Sequence, residues 1–156
     1  MSIAPVFLPL DRAASEALLH AHHVGRLAYS FRNRVDIEPI HFVFRDGWLY
    51  GRTQHGTKVN ILAHEPWVAF EVDEVDGLFD WRSVVVHGRI EFPDPEGSPL
   101  ERAQHERAVA AFRTLLPDAF TALDPTPARD LVFAISVQEI TGRAAQSVPV
   151  VSAKRV

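Results

Sequence analysis

A series of short apolar segments that alternate in and out, with little chain between them, constrains this sequence more than any other feature. Ser83 to Phe92 is the clearest. Val84, Val86, Gly88, Ile90 and Phe92 fall on one side, and Val85, His87, Arg89 and Glu91 on the other. A period of two residues marks a strand with one face in the core. The same alternation runs through Arg26–Phe31 (Leu27, Tyr29, Phe31), Glu38–Phe44 (Ile40, Phe42, Phe44) and Trp48–Thr53. It returns in Trp67–Asp73 (Val68, Phe70, Val72) and Leu131–Ile140 (Leu131, Phe133, Ile135, Val137). Arg45-Asp46-Gly47 reads as the turn of a hairpin. A parallel sheet needs a crossover, usually helical, after nearly every strand, and most of these linkers are too short for one. The pattern predicts a mainly β fold: a six-stranded antiparallel barrel with helices set outside it.

Three helices are expected around that barrel. Asp11 can cap one that runs to about His23 and is ended by Gly25. A Gly56–His64 turn and helix follows the Trp48–Thr53 strand. Ser98-Pro99-Leu100-Glu101 is a capping box with proline at the first helical position, opening a helix that Pro117 stops. Leu100, Ala103, Ala110 and Leu115 are its apolar residues, interleaved with Glu, Arg and His as on a surface helix. Glu74–Asp80 and Phe120–Pro127 read as loops, and beyond Gly142 no period is legible. Residues 1–156 are expected to form one domain, with its core at about 15–145 and a flexible or partner-packed tail at 146–156.

The formal charge of −4 weighs against nucleic acid as a partner, which usually requires a clustered basic face. Cysteine is absent, which excludes disulfides, thiolate metal sites and a Cys nucleophile. Neither a signal-peptide pattern nor a run of about 18 apolar residues is present, so a cytoplasmic protein without a membrane span is expected. His20, His22 and His23 sit at a helix end without a carboxylate cluster. They read as solvated imidazoles near the C-terminal dipole, and no metal site is expected.

The segment His55-Gly56-Thr57-Lys58-Val59-Asn60-Ile61-Leu62 carries the clearest chemistry. A strand that runs into a glycine and opens a helix directs free N–H groups at whatever precedes the helix, an arrangement suited to an anion. Lys58 and Arg52 are expected to add two cations, which points to a phosphate; the plain alternative is a strand–turn–helix with Thr57 as its cap. Gly51 and Gly56 have P-loop spacing, but Thr57-Lys58 reverses the order that a P-loop needs to reach magnesium. Trp81 and Ser83, at a strand entrance, could cover and hydrogen-bond a flat heteroaromatic ring, or Trp81 could plug the barrel end. His41 and His87 fall opposite the large apolar residues of their strands, where either could approach a cofactor. No Gly-x-Ser-x-Gly elbow occurs, and no catalytic residue is assigned.

Taken in order, Val24-Gly25-Arg26-Leu27-Ala28-Tyr29, Glu38-Pro39-Ile40-His41-Phe42-Val43-Phe44, Leu49-Tyr50-Gly51-Arg52-Thr53 with Gly56-Thr57-Lys58, Pro66-Trp67-Val68-Ala69-Phe70-Glu71-Val72 and Trp81-Arg82-Ser83-Val84-Val85-Val86-His87-Gly88-Arg89 form a recognisable series. It resembles the pyridoxamine 5′-phosphate oxidase-like flavin-binding split-barrel superfamily, in particular the nitroimidazole-resistance-type branch. The resemblance spans about residues 15–145 and implies a bacterial homodimer with FMN at the subunit interface. Within it, Lys58 would hold the FMN phosphate, helped by Thr57, the Gly56 backbone and the neighbouring Arg52 and His55. Thr53 and the strand Pro39, Ile40, His41 and Phe42 would lie along the isoalloxazine. Trp81 and Ser83 would sit near the ring or ribityl chain, from the same or the other subunit.

Two departures shape the expectation. The Arg-Leu-x-Pro ending of true pyridoxamine phosphate oxidases is replaced by Thr141-Gly142-Arg143-Ala144, which argues against oxidation of that vitamin. Arg52 stands where nitroimidazole-resistance proteins commonly carry a histidine. The expected function is an FMN-dependent oxidoreductase acting on an unidentified small molecule. The alternatives are a deazaflavin-dependent reductase and a non-catalytic flavin or haem carrier.

Overall fold

Alternation decides which side chains fill the barrel. The computed structural model describes residues 2–150. Among them, β1 (Ile3–Leu10), α1 (Arg12–Ala21), β2 (Val24–Phe31), β3 (Arg34–Arg45), β4 (Trp48–Thr53) and α2 (Thr57–His64) are followed by β5 (Trp67–Gly77), β6 (Asp80–Glu91), α3 (Pro99–Leu115) and β7 (Leu131–Pro149). The strands pair in the order β1-β7-β4-β3-β2-β5-β6, and an additional β7–β6 pairing closes the sheet on itself. Every pairing is antiparallel. Leu27, Ile40, Phe42, Phe44, Val68, Phe70, Val72, Val84, Val86, Ile90, Phe133 and Ile135 point inward and form the main core. The two-residue period assigned all of these to it, and also Phe31, which lies at the end of β2 and is exposed.

The antiparallel split barrel with flanking helices is thus as expected, with one strand more than the sequence revealed. β1 escapes sequence reading because Pro5 and Pro9 interrupt it and because it is an edge strand that leaves Ile3, Phe7 and Leu8 exposed. Its partner is the far end of β7, through register pairs from Leu10–Gly142 to Ile3–Pro149. Residues 146–149, expected to belong to a tail, are therefore paired strand, and 151–156 lie outside the described residues. Glu74–Gly77, expected as loop, extends β5 against β6 with an irregularity between Val75 and Gly77, leaving Leu78 and Phe79 as the tight turn.

Both helix caps form as read. Asp11 accepts from the Ala14 amide at 2.8 Å, and Ser98 and Glu101 form the reciprocal capping box. Gly25 does not end α1, whose C-cap is His22. Gly25 lies in β2, where a Cβ would come within 2.3 Å of the Phe70 ring. The buried face of α3 is Gln104, Ala108, Ala111 and Phe112, while Leu100 and Leu115 stay exposed. The small alanines let α3 approach the outer side of β4 and β7, where Val43, Tyr50, Val132 and Ala134 form a second core.

Gly88 marks the tightest backbone crossing. Register shifts between His87 and Gly88 in the β6–β7 pairing, and a Cβ on Gly88 would lie 1.9 Å from the Ser136 carbonyl oxygen. Backbone cannot rotate away as a side chain can. Gly88→Ala should therefore destabilise the fold by about 2–3 kcal/mol. Gly77→Ala, whose Cβ would meet Asp80 at an ordinary 3.9 Å, should stay within about 0.5 kcal/mol. Urea denaturation midpoints of the two variants check both values.

Candidate functional site

The anion spot lies at the mouth of the barrel. α2 starts at Gly56, an N-cap whose side makes no capping hydrogen bond, and open space lies over it. The first-turn amides of α2 thus face outward without a side-chain partner. Lys58 is partly buried, and its Nζ lies 2.5 Å from Glu38 Oε1. That oxygen is buried without an aligned hydrogen-bond partner, so the contact is an ion pair and not a directed hydrogen bond. Burial first, then the Glu38 and Asp36 carboxylates, push the Tyr29 phenol up from its ordinary value. The mouth therefore combines an uncapped helix end, one cation and a carboxylate that holds it. Thr57 is the first residue of α2, not its cap, and is exposed beside His55, whose Nε2 stands 4.0 Å from Asp130 Oδ1.

Pro39 follows Glu38 directly and turns to the opposite, outer face of the sheet. Register puts Val35, Ile37, Pro39 and His41 of β3 beside Ser30, Ala28, Arg26 and Val24 of β2, all facing away from the core. Val35, Ile37 and Trp67 are 71%, 68% and 61% exposed, far more than isolated apolar residues on a strand need be. Trp81 and Ser83 of β6 share this outer face across β5, through the pairs Val75–Trp81 and Asp73–Ser83. Ser83 donates to Glu71 Oε1 at 3.1 Å, and Trp81 packs against Phe7 with ring centroids 6.3 Å apart. Ser83 is three strands from Glu38 in the sheet, on the order of 14 Å at the usual strand spacing. Within one chain neither Trp81 nor Ser83 joins Lys58.

Arg52 is not at the anion spot. Alternation along β4 turns it outward, where the 120–130 segment covers it and leaves its side chain 4% exposed. Its Nε donates to the Arg129 carbonyl at 2.7 Å. Its Nη2 donates to Asp124 Oδ2 at 2.8 Å and to the Thr126 carbonyl at 2.7 Å. The guanidinium also stacks over Phe120 at 4.5 Å. Burial alone would raise the Asp124 carboxyl. The amides of Phe120 and Thr126 together with Arg52 outweigh it and hold the group down at about 2.

Of the expected residues, Lys58, Thr57 and His55 gather at the mouth, and Pro39 and His41 stand on the adjoining outer face. Ile40 and Phe42 are core side chains, 6% and 0% exposed, so only their backbone can run along a ligand. Thr53 is buried on the inner side of β4. The three helix-end histidines are separately engaged. His20 meets the Phe44 ring edge-on at 4.7 Å, His22 Nε2 is 2.7 Å from Glu74, and His23 Nδ1 is 3.3 Å from the Phe42 carbonyl. Glu38, Asp124 and Arg129 were not anticipated as site residues. Asp124 had a legible signal: Asp124-Pro125-Thr126 is an Asx turn in which Oδ1 accepts from the Thr126 amide at 2.9 Å.

Residues 11–144 match the family model described as pyridoxamine 5′-phosphate oxidase. The chain belongs to this family. Relatives of this pyridoxamine 5′-phosphate oxidase family have similar sequence and shape. An uncharacterized protein of Rhizobium meliloti is 27% identical over 146 residues, 87% of this chain and 93% of its own. A FAD-binding protein of Mesorhizobium loti is 25% identical, with a TM-score of 0.70 over 92% of this chain and 99% of its own. A Bacteroides thetaiotaomicron protein named for 5-nitroimidazole antibiotic resistance has the same fold, with a TM-score of 0.67, 16% identity and coverage of 94% and 93%.

The depressed Asp124 carboxyl makes stability pH-dependent in a defined direction. Its charge stabilises the fold above its ordinary value of 3.8, and that contribution is lost as pH falls toward about 2. Asp124→Asn removes it at every pH. The stability gap between wild type and variant should therefore be constant above about pH 5 and narrow steadily between about pH 4 and pH 2. Urea midpoints across that range measure it.

Proposed function

We propose that this chain is a flavoprotein with FMN as its cofactor, a homodimer that holds the flavin between subunits and transfers electrons to a small molecule. One observation carries the reading. The uncapped α2 terminus with Lys58 lies against Glu38 on the inner side of β3, and Pro39 belongs to the exposed apolar outer side, across a strand edge that β4 leaves unpaired at these residues. A phosphate suits the first half and a planar ring the second.

The residues fit such a group. Lys58 and the first amides of α2 would hold the phosphate, with Lys58 exchanging the Glu38 carboxylate for a doubly charged oxyanion. Ile37 and Pro39 offer an apolar floor for a ring, and His41 offers a hydrogen-bonding edge beside it. With Arg52 committed to Asp124, and Arg26 and Arg34 paired with carboxylates of the sheet, Lys58 is the cation at the α2 terminus. That supports a single phosphate over the longer anionic tail of a deazaflavin. The FAD-binding neighbour from Mesorhizobium loti favours FAD as the second reading.

A bound flavin would supply two-electron redox chemistry between a reduced donor and a small-molecule acceptor. The chain then needs to orient the ring and exclude water, which accounts for a site without an acid–base triad. The outer face supports a dimer. Val35, Ile37 and Trp67 form an apolar surface that a second copy would cover. Trp81 and Ser83 lie on that face, from which they would reach the partner's site.

Absorbance and mass spectrometry of the purified protein test the cofactor. A flavin spectrum releasing FMN is expected, whereas a colourless protein that takes up no flavin, or a Soret band, overturns the reading. Lys58→Ala should weaken FMN binding by about 1.5–3 kcal/mol, the scale of a charge-assisted hydrogen bond. Ile37→Asp should convert the dimer to monomer in size-exclusion chromatography and lower its flavin content together.

A further inference from the structure

A second cavity lies on the other side of β4 from the barrel core, beneath the C-terminal end of α3. It has a volume of about 350 Å³ and lies between Phe112, Leu115, Leu116 and Pro125, with Arg52 and Arg129 at its polar end. Arg52 is the unusual member. Its Nε and Nη2 are fully used by Arg129, Asp124 and Thr126, but Nη1 is buried with no hydrogen-bond partner. A buried guanidinium N–H without an acceptor is costly and uncommon in folded proteins. Asp124 cannot supply the missing acceptor. Its Oδ2 takes Arg52 Nη2 and the Phe120 amide, and its Oδ1 takes the Thr126 amide.

We propose that this cavity binds a small monocarboxylate with a ring-sized apolar body, its carboxylate held at the polar end that Arg129 and the Arg52 guanidinium form. The charges set the count. Arg52 and Arg129 border the cavity and Asp124 neutralises one of them, which leaves room for a single negative charge. The walls set the body. Four apolar side chains reward a hydrocarbon ring and give nothing to a compact phosphate or sulfate. The volume is in the range of small-molecule sites. His41 borders both this cavity and the outer sheet face, so a molecule here would lie next to the ring position proposed above. As the identity of that flavoprotein's substrate the inference rests on that reading; as a binding site it stands alone.

Benzoate is the probe and benzyl alcohol its uncharged counterpart. Isothermal calorimetry on the purified protein, with cofactor content measured by absorbance on the same sample, should give saturable 1:1 benzoate binding. Benzyl alcohol should bind at least tenfold more weakly. Arg52→Lys should lose that discrimination. Because Arg52 also anchors the 120–130 segment, Leu115→Trp provides a second variant: the residue is 38% exposed, and an indole there takes up cavity space while Arg52 and Asp124 remain unsubstituted. It should keep its fold by circular dichroism and weaken benzoate at least tenfold. Equal binding of the two probes, unchanged binding by Leu115→Trp, or displacement of bound flavin by benzoate would each overturn the assignment. Flavin-loaded protein that ignores benzoate defeats this inference alone, and flavin-free protein that binds benzoate defeats only the flavoprotein reading.

Discussion

Closure of the sheet by β7 is the constraint on which everything else rests. Its 19 residues hydrogen-bond to β4 at one end, to β6 through the middle, and to β1 and β6 at the other end. Open sheets expose two rows of unpaired amides and carbonyls. Here β7 satisfies the rows of β4 and β6 and leaves β1, with its two prolines, at an edge. The strand can bend far enough only because the β6–β7 register slips beside Gly88, where no side chain stands between the two backbones.

Closure also separates the cations. The strand period points Gly51 inward, and its neighbour Arg52 outward beneath α3 and the 120–130 segment. A buried guanidinium there requires a partner, and Asp124 with two carbonyls provides it. Removing either member of such a pair strands the other's charge, typically at a cost of about 3–5 kcal/mol. Arg52 thereby joins β4 to the segment leading into β7, bordering the cavity under α3. Lys58, six positions further along the chain, faces Glu38.

The sheet has two unlike halves on its outer side. Over β4 and β7 the outer face is covered by α3, whose Ala108 and Ala111 allow close approach. Over β3, β2 and β5 no element of the described residues covers Val35, Ile37 or Trp67. An uncovered apolar face beside an uncapped helix end is the arrangement from which the flavin and dimer reading was drawn. Membership of the pyridoxamine 5′-phosphate oxidase family and the shared fold agree with the flavin half of that reading.

The sequence by itself determined most inward residues of five strands, the Asp11 and Ser98 caps, the hairpin at Asp46-Gly47 and the opening of α2 by Gly56. Each depends on interactions among residues within about ten positions of one another, where period, turn chemistry and capping decide the outcome. Tertiary structure alone decided the rest. β1 is a strand because the end of β7, some 140 residues later, offers it a ladder. Arg52 points to Asp124, 72 positions away, and Lys58 to Glu38 across the barrel mouth. Whether a charged side chain is buried, and against what, depends on which distant groups the closed barrel brings near it, and no local period carries that information.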